Sequence, residues 1–201
     1  MSAREDILAA VRRNVPRPAI PLPDVPSLFP LNQGKREGVL SSFRKQLEVM
    51  GGKSFEVADA TAARVKITEL FPAAKVVCSA VPEVPGTRRI KDVRNPHDLN
   101  DVEVGLIRSH LGVAEAGAVW LTQEDLVVNA LGVLSQHLVV LLDPAVIVAT
   151  MHDAYQRISL AASPYGLFMA GPSATGDIEG VIIHGAQGAR SLTVLLVANH
   201  A

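Results

Sequence analysis

The sequence predicts an α/β domain: a mostly parallel sheet with helices on both faces, preceded by an N-terminal helix and a proline-rich strap. Three observations carry this. Uninterrupted apolar runs such as Leu138 to Leu142 and Leu192 to Val197 suit strands that are covered on both faces. Helical periodicities fall between such runs, and glycine or proline clusters separate them. The 201 residues are 48% apolar and 19% charged, enough to fill one core and too little charge for a disordered polyelectrolyte.

Taken in order, Met1 to Val15 sets Ile7, Leu8 and Val11 among Arg4, Glu5, Asp6, Arg12 and Arg13, an amphipathic helix that lacks the apolar stretch of a secretory leader. Pro16, Pro18, Pro21, Pro23, Pro26 and Pro30 then forbid helix and impose an extended strap. Residues 1–34 are read as an extension and 35–201 as a single domain. Lys35 to Met50 is a helix, with Val39, Leu40, Phe43 and Leu47 at three- and four-residue steps and a Gly51-Gly52 stop. Ser54 to Val57 is a strand, Ala60 to Leu70 a helix ending before Pro72, and Lys75 to Ser79 a buried strand. Pro82 to Pro96 is an exposed loop with a basic cluster of Arg88, Arg89, Lys91 and Arg94. Val102 to Gly112 and Ala118 to Leu121 are strands, Val127 to Leu134 a short helix, and Val146 to Leu160 a longer one. Leu167 to Ala170, Val181 to His184 and Leu192 to Val197 complete the strands.

Composition excludes several function classes. Lys and Arg number 19 against 20 Asp and Glu, so no global field draws the chain to nucleic acid or anionic lipid, and 4% aromatics leave little to stack on bases. The tract Leu138 to Met151 is broken by Asp143 and Pro144 and is shorter than the roughly 20 residues of a membrane helix. Cys78 is the only cysteine; it cannot form an intrachain disulfide or by itself hold a cluster, which suits a reducing cytoplasm. The six histidines show no ligand spacing, so no metal is expected. Dinucleotide and P-loop fingerprints are absent from the sequence, and no cofactor is expected.

Three glycine-bordered segments fall at strand ends, where an open α/β sheet places ligands. In Gly112 to Gly117, Glu115 sits among small residues, where burial would make it a usable acid, base or nucleophile; the plainer alternative is a carboxylate that accepts backbone N–H bonds. In Gly171 to Gly180, Thr175, Asp177 and Glu179 suit the start of a helix, while Ser173 and Asp177 are placed to meet a ligand hydroxyl. Gly185 to Arg190 carries two glycines, Gly185 and Gly188, for close backbone approach. Its Arg190 can hold a small carboxylate in a bidentate fork or stand solvated.

Gly112 to Gly117, Gly171 to Glu179 and Gly185 to Arg190 together resemble the lactate-utilization protein C family, or LUD domain. The resemblance implies a Rossmann-like sheet similar to those of CoA transferases, sugar-phosphate isomerases and formyltetrahydrofolate cyclo-ligase. It also implies a role in oxidising L-lactate to pyruvate beside iron–sulfur partner proteins. By the same resemblance Glu115 and Asp177 are the catalytic candidates. Gly112, Gly117, Gly171, Ser173, Thr175, Glu179, Gly185, Gly188 and Arg190 are the ligand-binding ones. A stand-alone enzyme of CoA-transferase or isomerase type, using Glu115 on a small carboxylate, is the alternative, and a homo-oligomer fits either. The chain has Ala116 and Gly176 where the family usually has threonine and alanine, so one hydroxyl is missing beside Glu115.

Overall fold

The structure is a computed structural model that describes residues 2–15, 36–159, 163, 165–177 and 179–198. The proline strap lies outside the described residues. The N-terminal helix α1 (Ala3–Asn14) is set by a capping box in which Ser2 and Glu5 satisfy each other's backbone N–H groups, and it buries no residue. Helix α2 (Arg36–Val49) seats Phe43 and Leu47, both fully buried, against the sheet. It leads through Gly51 and Gly52 into β1 (Lys53–Val57). Helix α3 (Ala60–Leu70), capped by Asp59, returns to β2 (Val77–Ser79), which is followed by the short β3 (Arg88–Arg89).

Strands β4 (Val104–Ser109), β5 (Leu111–Val113) and β6 (Ala118–Thr122) come next, then two helical turns, α4 (Gln123–Leu126) and α5 (Leu131–Leu134). After β7 (His137–Leu142) the chain makes β8 (Ile147–Val148), α6 (Met151–Tyr155) and β9 (Gly166–Met169). A hairpin of β10 (Ala174–Thr175) and β11 (Ile183–His184) precedes the last strand, β12 (Ser191–Val197).

Six strands form one sheet in the order β1-β12-β7-β4-β2-β3, every neighbouring pair parallel. Alternation along the central strands divides the interior into two cores. Leu138, Val140 and Leu142 face α2, whereas Val139 and Leu141 face α3. The α/β class with a Rossmann-like parallel sheet is therefore the observed one, and the apolar runs Leu138–Leu142 and Leu192–Val197 are two of its interior strands. The face beyond α2 is covered in an unforeseen way: β8, β5, β6 and β9 form a second, four-stranded sheet whose Ala114, Val119 and Leu121 join the α2-side core.

Three expectations are corrected. Val146 to Leu160 is not one helix: Pro144–Val146 is a 3-10 turn, the β-branched Ile147 and Val148 pair with β5, and Thr150 with Asp153 caps the separate α6. Val102 to Gly112 is not one strand, because Ser109 turns its hydroxyl onto the carbonyls of Leu111 and Trp120, and the chain passes from one sheet to the other at His110. Val127 to Leu134 is interrupted by Val127 at φ 60°, which ends α4.

Candidate loop cluster at the amino rim of the sheet

Helix α2 ends where Gly51, at φ +82°, donates to the carbonyl of Glu48 and Gly52 to that of Leu47. The first two glycine-bordered segments pack on this helix end, and His184, just before the third, lies beside it. A Cβ on Gly117 would lie 2.2 Å from the Leu47 backbone nitrogen, and one on Gly171 2.0 Å from the Met50 carbonyl oxygen. The open side of Gly51 faces the Pro172 ring at 3.4 Å and the His184 ring at 3.7 Å. Leu47 and Met50 stand one helical turn apart, so the β5–β6 turn and the Gly171 turn are neighbours along α2.

The second and third segments are also tied to each other. Ser173 donates its N–H to Ala189 at 2.8 Å, accepts from the Gly185 N–H at 2.7 Å, and donates its hydroxyl to the Gln187 carbonyl at 3.1 Å. Gly188 allows this approach, since a Cβ there would sit 2.9 Å from that of Ser173. Gly185, at φ +74°, folds the loop onto the stem of Arg190 in the same manner. Arg190 then donates its N–H to the Gln136 carbonyl at 2.7 Å, which fixes it immediately before β12.

The functional candidates fall into two groups. Glu115 is half-buried, its backbone N–H bonded to the Ala149 carbonyl at 3.0 Å, within the turn that Gly117 seats on α2. Gly112 is packed shut: a Cβ would meet Leu142 at 2.9 Å and Ile147 at 3.0 Å, so its smallness serves the core. Thr175, Asp177 and Glu179 belong to the β10–β11 hairpin. Asp177 donates its N–H to the Thr175 hydroxyl at 3.3 Å, and Glu179 stands exposed at φ +55°. The expected helix start is corrected here, since the residues after Thr175 lead into β11 and offer no row of helical N–H groups to an anion.

The location is corrected too. Arg190 precedes β12, His137 opens β7 and Gly52 precedes β1, so the cluster occupies the amino rim of the sheet. Ligand crevices in open α/β sheets lie at the carboxyl ends. Cavities of about 300 Å³ lie between α3 and Val84–Thr87 and at the carboxyl ends of β2 and β3; neither is lined by Glu115, Asp177 or Arg190.

Beside Arg190 the structure adds two residues that the sequence reading passed over. His137 and Ser191 open the adjacent strands β7 and β12, stand directly opposite one another, and share a side-chain hydrogen bond of 2.8 Å. The His137 ring also packs on Phe71, centroids 4.8 Å apart. Burial, reinforced by the Arg190 guanidinium, pushes the imidazole below its ordinary pKa, with Glu103 opposing weakly, so the ring is neutral at pH 7. An exposed guanidinium beside a hydroxyl and a neutral imidazole can hold a carboxylate through charge-assisted hydrogen bonds. The available signal was that each residue opens an apolar strand; their pairing depends on β7 and β12 being neighbours.

A match to the LUD domain covers residues 86–197, more than half of the chain and all three glycine-bordered segments. The chain belongs to the LUD-domain family. This LUD domain is also similar in fold to a DUF162 family protein from Deinococcus radiodurans. That likeness has a TM-score of 0.65 and 18% identity, over 82% of this chain and 99% of that one. It extends the shared fold beyond the family match, which begins after α2. No curated protein matches the chain.

Proposed function

We propose that this LUD domain is a lactate-utilization protein C-like component of L-lactate oxidation to pyruvate, cytoplasmic and acting beside iron–sulfur partner proteins. The family match carries the reading, because residues 86–197 contain all three glycine-bordered segments. Oxidation of lactate releases two electrons and two protons. The chain's single cysteine, the buried Cys78, cannot supply the thiolates of a cluster, so the electron acceptors belong to the partners. Arg190, with Ser191 and His137, is the natural anchor for the substrate or product carboxylate, while residues 1–34 form an extension to the domain.

Two measurements test this. Tagged full-length protein recovered from native extract should bring down cysteine-rich iron–sulfur proteins, and deletion of its gene should abolish growth on L-lactate. In a thermal-shift titration, lactate or pyruvate at a hundredfold its dissociation constant should add about 2.7 kcal/mol. Arg190→Ala should remove that increment. Recovery of no such partner, together with unchanged growth on lactate, would reject the assignment.

The half-buried Glu115 supports a second reading, a CoA-transferase-like or isomerase-like enzyme acting on a small carboxylate. Incubation with an acyl-CoA and reduction by borohydride should then convert the Glu115 carboxyl to an alcohol detectable by mass spectrometry. An unmodified Glu115 eliminates the transferase form of this reading.

A further inference from the structure

We propose that the crevice at the carboxyl ends of β2 and β3, on the rim opposite the loop cluster, binds a small organic anion with an apolar body, of the aliphatic carboxylate class. The topology makes the crevice. After β2 the chain moves outward to the edge strand β3 before β4 returns on the other side of β2, which leaves the carboxyl ends of β2 and β3 side by side at this edge of the sheet. Open α/β sheets bind ligands outside the carboxyl ends of their strands. A cavity of about 300 Å³ lies there, at the lower end of the roughly 300–1,000 Å³ usual for small-molecule sites.

Its walls are apolar and fixed. Ala80 and Ile90 come from the core on the α2 face and Val81 from the core on the α3 face, so both cores open into the same hollow. The loop that closes it is pinned to β2 at both ends. The Ser79 hydroxyl lies 3.0 Å from the Val81 carbonyl and 2.7 Å from that of Val84. Gly86 lies so close to β2 that a Cβ would stand 2.2 Å from the Val77 carbonyl, and the Thr87 hydroxyl accepts from the Val77 N–H at 3.0 Å. A hollow with such walls is formed before any ligand arrives.

The charged groups lining the hollow are all cations. Arg88 is held away from a ligand by a two-pronged pair with Asp101 at 2.6 and 2.8 Å. Arg89 pairs with Asp92 at 2.9 Å, but on the surface, its side chain 80% exposed, and such a pair opens at little cost. Lys91 is exposed and makes no ion pair among the described residues. An anion seated with its chain over Ala80, Val81 and Ile90 meets Lys91 at once and recruits Arg89 from Asp92. A neutral or cationic ligand of the same shape gains nothing from that rim.

The test uses the full chain and three probes of one length: hexanoate, 1-hexanol and hexylammonium, titrated by NMR or calorimetry. Hexanoate should bind saturably, 1-hexanol more weakly by about tenfold or more, and hexylammonium not at all. The exposed double reversal Arg89→Glu/Lys91→Glu should weaken hexanoate by about tenfold or more. Ala80→Leu, which fills the hollow, should abolish binding. Absence of saturable hexanoate binding, equal binding of the neutral or cationic probe, or hexanoate binding unaffected by the double reversal would each overturn the proposal.

Discussion

Gly117 carries two demands at once: a φ of +58° and a backbone neighbour, the Leu47 nitrogen, that would stand 2.2 Å from an added Cβ. A side chain would be strained by the first and obstructed by the second, so Gly117→Ala should cost about 2–4 kcal/mol and lower the urea midpoint accordingly. A substitution with no measurable effect would show that the turn does not rest on α2. His137 makes a pH prediction. Folding pushes its pKa below the ordinary 6.5, mainly through burial and then through Arg190, so the unfolded chain takes up the proton more readily. Its contribution is intact above about pH 6.5 and is lost as the pH falls through 6.5 toward the lowered value. His137→Gln should therefore flatten the acid side of the stability curve between those limits, measured by denaturant titration across pH. The glycines that matter were visible in the sequence as punctuation. What each one accommodates was not, because Leu47 and Met50 are distant in the chain from Gly117 and Gly171, which approach them.

Helix α3 is the one helix of the described residues whose apolar side chains join the core on its face of the sheet, where Ala63 and Ile67 pack with Val104, Leu106, Val139 and Leu195. Its start depends on Asp59, whose carboxylate accepts the Ala62 N–H at 2.8 Å. Asp59→Ala should cost about 0.5–2 kcal/mol, read from the thermal or denaturant midpoint, whereas Asp59→Asn should retain most of the cap. The boundaries of α2 and α3 were legible because helical periodicity, a glycine stop and Pro72 all agreed. The residues from Val146 to Leu160 misled for a physical reason. A stretch of that length without glycine or proline fits a helix until Ile147 and Val148 find a partner strand, and β5 is brought to them only by the fold. The hairpin of β10 and β11 shows the same limit, since Thr175, Asp177 and Glu179 have the composition of a helix start and the Ala174–His184 pairing sets them in a hairpin instead.

At the scale of the whole molecule, stability rests on a central strand buried on both sides. Leu141 of β7 is fully buried in the α3-side core, and Leu141→Ala should cost about 2–5 kcal/mol in equilibrium unfolding. A smaller loss would mean that α3 can settle onto the gap. The sequence alone determined the α/β class, the interior strands β7 and β12, the helices α2 and α3, and family membership, because each rests on local periodicity or on a contiguous motif. It also singled out the loops that meet at the end of α2. Only the tertiary structure decided that they meet at the amino rim, that β5, β6, β8 and β9 form a second sheet, and that His137 and Ser191 stand beside Arg190. It alone showed the basic segment from Arg88 to Lys91 bordering a hollow at the opposite rim. The reason is common to all four. Strand order is set by non-local pairing when the whole hydrophobic surface is buried together, and the pairs that decide it, such as His137 with Ser191 and Gly112 with Ile147, are far apart in the chain.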